Sequence, residues 1–398
     1  MLRTAAVWER GGDVVTTDSP GPAWQGKAAW IVVAVLFIGI LADVARHPAA
    51  HTTMPTYRLA ATQWWQGNDP YSTREHDGFY YFPQAAVVFA PFNLLPGFGG
   101  DLAWRACGFG LFLYALARLN RIFFADDGKT FLILCLLAVP SSMASLRNAQ
   151  FDLPLAALIV LTTMEVAEAR WTPAAVWICL AIALKPLAVV PLLLFGALYW
   201  KLIPRVLIGL LVVIALPFLH WSPAFVAHEY GRCIESLVQA AKANEPRYSD
   251  LGALVSQLGY NAPDEAKTVV RILFALIYFG LGAMAVRRLS RVEAAWVVGA
   301  LSADYLMLFN PRTETCSYVF LGPFVASAAV WCLGQPTRRR LGCFLVFAAI
   351  GLACDAFPKI GAFSIHDMTD RWFKPLMALL FLPVVVGFIF ESRGDRRR

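Results

Sequence analysis

Cations, carboxylates and aromatic residues recur in the polar segments that separate the apolar runs of this chain. The cations are Arg58, Arg147, Lys185 and Arg312, and the carboxylates are Asp43, Asp69, Asp152 and Glu314. The aromatic residues nearest to them are Tyr57, Trp64, Tyr71, Tyr80 and Tyr81. Cations at the depth of lipid headgroups suit a lipid-linked phosphate, and aromatic rings suit the apolar face of a sugar. A carboxylate could take the proton of an acceptor hydroxyl.

Each of these charged groups also has a purely structural interpretation. Asp43 lies near the end of its apolar run, where an ionisable group is a functional candidate, but it could instead pair with Arg46 or another arginine. Lys185 could extend to the headgroups or hold a phosphate. Arg312 could bind a phosphate or pair with Glu314.

The segment from Arg147 to Asp152 places four hydrogen-bonding side chains between two apolar runs. Such groups are costly near a membrane unless the protein satisfies them. They either belong to a site, to which Asn148 and Gln150 would contribute, or form a polar hairpin that solvates a tight turn.

Apolar helices must position these residues. Hydrophobic residues make up 58% of the 398-residue chain and charged residues only 15%, which excludes a soluble protein. The predicted fold class is all-α, a polytopic membrane protein with a bundle of about 12 transmembrane helices. The predicted spans are 28–46, 100–118, 130–146, 149–168, 172–185, 186–200, 203–220, 268–287, 293–310, 313–333, 341–357 and 372–391.

The positions of Lys and Arg predict the orientation of the chain. With the N-terminus in the cytoplasm, every short inner loop carries the positive charge that the positive-inside rule requires. The net charge of +7 is then explained by topology and anionic lipid, with no reason to invoke nucleic acid. We expect a cytoplasmic segment at 1–27, a single transmembrane domain at 28–391 and a basic cytoplasmic tail at 392–398. The membrane expected is a bacterial inner membrane, and the first helix is expected to be an anchor rather than a cleaved signal.

Metal-binding patterns are missing from the sequence. It contains no Cys-x-x-Cys and no His/Cys cluster, so no metal or other cofactor is expected. No Asp-x-Asp motif lies in a predicted outer loop, which disfavours a nucleotide-sugar donor held through a divalent metal.

The two longest outer loops are predicted at 47–99 and 221–267. In the first, Thr53 can cap a helix that begins around Pro55 and ends at Gly67. Its apolar stripe predicts a helix lying in the membrane interface, with a direct role at the substrate as the alternative. The residues of this stripe are Tyr57, Ala60, Ala61, Trp64 and Trp65.

A second apolar stretch in the same loop runs from Pro83 to Pro96 and is broken by Pro91. It is too short to cross a bilayer. We expect it to be re-entrant or to lie at the interface, which would place irregular backbone next to a cavity.

The order of the motifs resembles glycosyltransferase family 87. Gly-x-Asp-Pro-Tyr (67–71) follows the aromatic helix, and after it come Tyr-Tyr-Phe-Pro (80–83), Arg-Asn-x-Gln (147–150), Lys185 with Pro191, and Pro311-Arg312. The resemblance covers most of residues 28–335. It implies an integral-membrane enzyme of the GT-C superfamily, which transfers a hexose, often mannose, from a polyprenyl phosphate sugar on the outer face. It also implies transfer with inversion and without a metal.

One position departs from the family. Its usual catalytic aspartate stands four residues before the tyrosine matched by Tyr57, and that position is Thr53 here, which cannot act as a general base at ordinary pH. The catalytic residue is therefore expected to be Asp43 or, second, Asp69. Binding of the donor phosphate is assigned to Arg58, Arg147, Lys185 and Arg312. Sugar binding is assigned to Tyr57, Trp64, Tyr71, Tyr80, Tyr81, Asn148, Gln150 and Glu314.

Two other functions stay open. A transporter or flippase for a lipid-linked glycan would use the same cations and aromatic residues without a base, although the internal repeats typical of transporters are missing. A catalytically inactive GT-C-like protein is the other alternative. The expected partners are a polyprenyl-phosphate sugar, a glycolipid or glycan acceptor, and membrane lipid.

Overall fold

The protein is built from helices. The computed structural model describes residues 24–48, 52–72, 78–96, 98–242, 248–353 and 372–391, and every regular element within these ranges is an α-helix or a 3₁₀ helix. The predicted tail at 392–398 and most of the segment 1–27 lie outside the described residues. The α-helices are α1 (Trp24–Arg46), α2 (Met54–Gln66), α3 (Pro83–Asn93), α4 (Phe98–Phe123), α5 (Gly128–Arg147), α6 (Asp152–Ala167), α7 (Trp171–Leu184), α8 (Val189–Leu198), α9 (Ile203–Ala215), α10 (Pro223–Lys242), α11 (Leu251–Ser256), α12 (Asp264–Arg288), α13 (Arg291–Phe309), α14 (Gly322–Leu333), α15 (Arg339–Leu352) and α16 (Phe373–Glu391).

Seven of the described helical segments are long and apolar enough to cross a membrane. They are α1, α4, α5, α12, α13, the segment Trp200–Leu219 around α9, and Phe373–Phe390 of α16. Each span predicted from the sequence overlaps a described helix, so the all-helical fold is confirmed, with seven candidate membrane spans. The number of crossings stays a prediction, because α6, α7, α8, α14 and α15 are each shorter than a bilayer requires.

Helix α6 lies at the centre of the bundle. All 16 of its residues are buried, and it packs against α4, α7 and α13. A helix that is apolar on every side has no face suited to water, so other helices surround it. Its two ends carry the buried carboxylates Asp152 and Glu165. We call the end at Asp152, where residues 147–151 connect α5 to α6, the hairpin end of the bundle.

Arginines surround the carboxylate at the opposite end. Glu165 lies 3.2 Å from Arg118 and 3.1 Å from Arg170, and Arg291 donates to the carbonyl of Ala167 over 3.1 Å. These arginines neutralise a carboxylate that would be costly to bury alone. With the spans predicted above, all three lie in or next to short inner loops, and in the structure they meet at one end of the bundle.

Helix α2 has the bounds that local sequence rules predict. Pro55 lies in its first turn, and Gly67 ends it in the left-handed conformation at φ 74°. The apolar stretch that follows forms α3, an 11-residue helix with Pro91 inside it. At 1.5 Å per residue, α3 spans only about 16 Å and cannot cross a bilayer.

The apolar stripe of α2 is covered by protein, and the position of this helix at the membrane interface stays a prediction. Tyr57 is 1% exposed and Trp64 is fully buried, so most of the apolar stripe faces protein, and only Trp65 at its end is half-buried. Tyr57 contacts Phe89 of α3 and Phe151 of the α5–α6 hairpin, at ring centroid distances of 5.5 and 4.3 Å. A helical stripe shows only that one face is covered, and here α3 and the hairpin cover it instead of the membrane.

Candidate functional site

Arg105 of α4 organises the hairpin that connects α5 to α6. It is only 2% exposed, and it donates from Nε to the carbonyl of Leu146 over 3.1 Å and from Nη2 to the carbonyl of Arg147 over 2.9 Å. Asp101, one turn earlier on α4, lies 3.6 Å away and balances its charge. The last carbonyls of a helix lack partners within it, and this buried guanidinium satisfies two of them at the end of α5.

The next two carbonyls of the hairpin also have donors. Thr53 donates to the carbonyl of Asn148 from its backbone N over 3.0 Å and from Oγ1 over 2.9 Å. Trp104 donates from Nε1 to the carbonyl of Ala149 over 2.8 Å. Ala149 is left-handed, with φ 56°, a conformation that costs energy for any residue with a Cβ and persists only where its surroundings hold it. The start of α6 is therefore fixed by α4 and by the residue before α2.

Asp152, the first residue of α6, forms a buried ion pair. Its side chain is 1% exposed and pairs with the ammonium of Lys185, while Ser317 donates from Oγ to Oδ2 over 2.6 Å. Lys185 follows the last residue of α7 in an extended conformation, which the proline at 186 favours. The lysine therefore leaves the helix and turns to the carboxylate, instead of extending to headgroups.

Glu314 joins the hairpin to the segment after α13. Gln150 donates from Nε2 to Oε2 of Glu314 over 2.7 Å, and the thiol of Cys316 donates to Oε1 of Gln150 over 2.9 Å. The ion pair between Glu314 and Arg312, one of the two alternatives from the sequence, is not formed within the described residues. Glu314 is instead held by neutral groups.

Arg312 lies against aromatic rings. Its guanidinium carbon is 4.4 Å from the ring centroid of Tyr80 and 5.4 Å from that of Tyr248. Its Nη1 is buried and has no hydrogen-bond partner among the described residues. Ring faces stabilise the charge and fix the plane of the guanidinium, so an N–H donor is left available for an oxyanion.

Tyr57 and Tyr81 form an aromatic wall beside these charges. Their hydroxyl oxygens are 3.2 Å apart, and their rings meet edge to face at 5.6 Å. Burial raises the pKa of both phenols well above the ordinary value. The pKa of Tyr81 is raised further by Asp152 and Glu314 and lowered by Arg312, which shows that all three charged groups act on it. Both phenols are therefore neutral hydrogen-bonding groups at physiological pH.

These contacts define what we call the central cluster, at the hairpin end of the bundle. Its members are Tyr57, Tyr80, Tyr81, Gln150, Asp152, Lys185, Arg312, Glu314 and Ser317. Sequence reasoning assigned all of them except two. Asp152 carried a signal, because it closes the polar hairpin motif, whereas Ser317 carried none. Arg312 of this cluster also contacts Tyr248, in a loop for which no role was predicted.

Asp43 and Arg147 lie outside the central cluster, paired with each other. Oδ2 of Asp43 is 2.6 Å from Nε of Arg147, and Oδ1 is 3.3 Å from Nδ1 of His47. This is the alternative in which Asp43 pairs with an arginine other than Arg46. The two residues assigned to catalysis and to the donor phosphate thus neutralise each other.

Three other residues that were assigned to the site from the sequence lie beside the central cluster and contact its neighbours. Arg58 lies 2.8 Å from Asp101. Trp64 packs against the ring of His220 at a centroid distance of 5.8 Å, and Tyr71 donates from its hydroxyl to the carbonyl of Tyr81 over 2.9 Å. Asn148 is half-buried in the hairpin. Tyr71 acts directly on the backbone of the aromatic wall.

A second polar cluster joins the turn after α2 to α10, and sequence reasoning missed it. Asp69 lies 3.2 Å from Arg232. Glu229 is 1% exposed, and its Oε1 is 2.9 Å from Nδ1 of His228. Burial raises the pKa of Glu229, Asp69 raises it further, and His228 lowers it. No spacing in the sequence signals that these two segments meet.

The central cluster has the groups that a transfer reaction needs. Lys185 and Arg312 can hold an anion and stabilise charge that develops on it, the carboxylate of Glu314 can take a proton, and the tyrosines can line a ring-shaped substrate. Within the described ranges, no three His, Cys, Asp or Glu side chains are grouped so as to hold a metal ion.

Comparison with known proteins identifies the family of this chain. None of the curated proteins with which the chain was compared matches it. The family model of glycosyltransferase family 87 matches residues 79–311, more than half of the chain. The matched stretch includes Tyr80, Tyr81, the α5–α6 hairpin and Lys185, and it ends one residue before Arg312. The chain belongs to glycosyltransferase family 87.

Proposed function

We propose that this glycosyltransferase transfers a hexose, with mannose the first candidate, from a polyprenyl phosphate sugar to a glycolipid or glycan acceptor. In this proposal the reaction inverts the anomeric carbon, needs no metal, and takes place at the hairpin end of the bundle. Family membership supports sugar transfer, and the charges of the central cluster support a phosphate-bearing donor.

The single observation that supports the assignment of a phosphate-bearing donor is the environment of the Arg312 guanidinium. Its guanidinium lies on the face of Tyr80, with a buried Nη1 that has no hydrogen-bond partner among the described residues. An unsatisfied buried donor costs about 1–3 kcal/mol, and a phosphate oxygen that accepts from it removes this cost. Lys185, whose side chain is 25% exposed, supplies a second N–H donor beside the leaving phosphate while it stays paired with Asp152.

The sugar is proposed to contact the half-buried side of the central cluster. Tyr80, Tyr81, Gln150 and Glu314 all keep part of their surface accessible. Their rings, amide and carboxylate are suited to the apolar face and the hydroxyls of a hexose. In the same proposal the buried Tyr57 lies behind this surface as part of the aromatic wall. Trp64 and Tyr71 support that wall, and Asn148 lies at its edge.

The proposed topology has twelve crossings, both termini in the cytoplasm and the hairpin end at the outer face of a bacterial inner membrane. Arg118, Arg170 and Arg291 support it, because they lie together at the end opposite the hairpin and the positive-inside rule places arginines in the cytoplasm. The donor would then reach the central cluster from the outer leaflet. The transmembrane domain proposed is the single unit 28–391.

A base is also required, and the residues selected from the sequence, Asp43 and Asp69, stay predictions. Each is paired with an arginine, Arg147 at 2.6 Å and Arg232 at 3.2 Å. Protonation of either carboxylate would weaken its ion pair, so each would have to part from its arginine before it could act.

The test is a transfer assay with the purified protein in lipid nanodiscs. The donor is radiolabelled polyprenyl phosphate mannose or polyprenyl phosphate glucose, supplied with excess EDTA. Loss of the donor and labelling of added glycolipid are both measured. We expect loss of donor with one of the two sugars. An intact donor with every acceptor would contradict the proposal, and movement of the donor between leaflets without cleavage would favour the transporter.

Two arginine variants test the donor site. Arg312→Ala is expected to weaken donor binding roughly 10- to 100-fold, as the loss of a charged hydrogen bond does. Arg271→Ala is the matched control, because this arginine lies 4.0 Å from Asp250 and has no assigned role in donor binding. Equal effects of the two variants would contradict the assignment of the phosphate to Arg312.

A further inference from the structure

The carboxylates near the central cluster differ in what holds them. Those that are paired with a lysine or arginine are Asp43 with Arg147, Asp69 with Arg232, Asp101 with Arg58, and Asp152 with Lys185. Asp250 caps α11 and lies 4.0 Å from Arg271, and Glu229 is bonded to His228 over 2.9 Å. All of these carboxylates have a cation, or a histidine that can become one, as a partner.

Glu314 is held differently. Its Oε2 accepts from the amide of Gln150 over 2.7 Å, and the thiol sulfur of Cys316 lies 3.5 Å from the same oxygen. No lysine, arginine or histidine nitrogen of the described ranges lies within 4.0 Å of its carboxylate. Neutral donors fix the position of the carboxylate without an ion pair, so protonation of Glu314 breaks no salt bridge.

The position of Glu314 also suits a role in the reaction. It is half-buried and only two residues from Arg312, whose buried Nη1 is the proposed contact for the donor phosphate. Lys185, the second proposed cation, is within electrostatic range of Glu314. A base must lie near the anomeric carbon while the cations lie near the phosphate, and the central cluster provides both within one segment of chain.

We infer that Glu314 is the general base of the transfer reaction, an inference that rests on the function proposed above. The acceptor hydroxyl oxygen bonds to the anomeric carbon, and its proton passes to the carboxylate of Glu314. The bond between that carbon and the phosphate oxygen breaks, and its electron pair stays on the phosphate, which Lys185 and Arg312 hold. Glu314 then returns the proton to water. Gln150 and Cys316 are positioning residues, because they act through the carboxylate.

The test compares two isosteric variants in the assay described above. Glu314→Gln keeps an oxygen that can accept from Gln150, and it is expected to lower turnover roughly 100-fold or more while the Kd for the polyprenyl phosphate donor and the unfolding midpoint stay unchanged. Glu235→Gln, the matched control at an exposed glutamate that pairs with Arg232, is expected to keep turnover within a few-fold of the wild type. Added formate, a small carboxylate, is expected to restore part of the activity of Glu314→Ala, which leaves room for it, and none to Arg312→Ala.

The outcomes separate the two proposals. Turnover of Glu314→Gln equal to that of the wild type overturns the inference and leaves the transfer reaction standing. The inference is also overturned if the loss of activity comes with weaker donor binding or a lower unfolding midpoint and formate does not rescue it. The role of Glu314 would then be structural. An inactive wild-type protein overturns both the transfer reaction and the base.

Discussion

The hydroxyl of Thr53 donates to the carbonyl of Asn148 over 2.9 Å, and the backbone N of Thr53 donates to the same oxygen over 3.0 Å. Two donors from one residue thus tie the start of α2 to the α5–α6 hairpin. At the position where a resemblance to the family leads one to expect a catalytic carboxylate, this chain has a residue that holds the site together. A carboxylate could not replace it, because it would present an acceptor to an acceptor.

Substitution of Thr53 is expected to act on stability first. Thr53→Val removes the hydroxyl donor and should lower the free energy of unfolding by about 1 kcal/mol, whereas Thr53→Ser should retain it. Thr53→Asp should destabilise the protein more than Thr53→Val and bring no gain in turnover. Unfolding midpoints in detergent and the transfer assay measure both effects. Higher turnover in Thr53→Asp would show that this position can still accommodate a base.

Arg105 is expected to be sensitive even to a conservative change. Arg105→Lys keeps the charge, but one ammonium cannot reproduce the planar guanidinium that donates to Leu146 and Arg147 at once. We expect a loss of about 1–3 kcal/mol in the free energy of unfolding, measured from the unfolding midpoint. Arg121→Lys, at an exposed position of the same helix, is the control and should change little. Equal midpoints for the two variants would show that the hairpin does not depend on Arg105.

Variants of the Asp152–Lys185 pair are expected to regain stability without regaining transfer activity. Asp152→Asn leaves the lysine without its counter-charge and should cost about 3 kcal/mol, the low end for a broken buried pair, because the side chain of Lys185 is 25% exposed. The double variant Asp152→Asn/Lys185→Met removes both charges and should recover much of the stability. It should stay inactive in transfer, because the second cation at the phosphate is lost. A double variant no more stable than Asp152→Asn would contradict this account.

Glu229 is expected to make stability depend on pH. Burial raises its pKa in the folded protein, so the folded state binds this proton more tightly than the unfolded state does. The stability that Glu229 contributes is then fully present below the ordinary carboxylate range and is lost as the pH rises through the raised folded pKa. Glu229→Gln should match the wild-type unfolding midpoint at pH 4 and exceed it at pH 7.5. A variant less stable than the wild type at pH 7.5 would show that the ionised carboxylate is favourable there.

The local elements of this protein follow from short-range rules in the sequence. Pro55 and Gly67 bound α2 because proline fits the first turn of a helix and glycine adopts the left-handed conformation that ends one. Every predicted span overlaps a helix, because a long apolar run in lipid must satisfy its backbone hydrogen bonds internally. The order of the motifs was sufficient to identify the family, since motif order depends on the chain alone.

The partners of the charged residues were decided only by the tertiary structure. The sequence singled out Asp43, Arg147, Lys185, Arg312 and Glu314, but it could not show that the first two pair with each other or that Arg312 lies on tyrosine rings. These contacts join segments far apart in the chain, such as 104 residues from Asp43 to Arg147 and 164 residues from Gln150 to Glu314. Helix packing sets such distances, and an ion pair changes in strength over a few ångströms. Composition and spacing therefore determine which groups are available at the hairpin end, and packing determines which of them remain unpaired for chemistry.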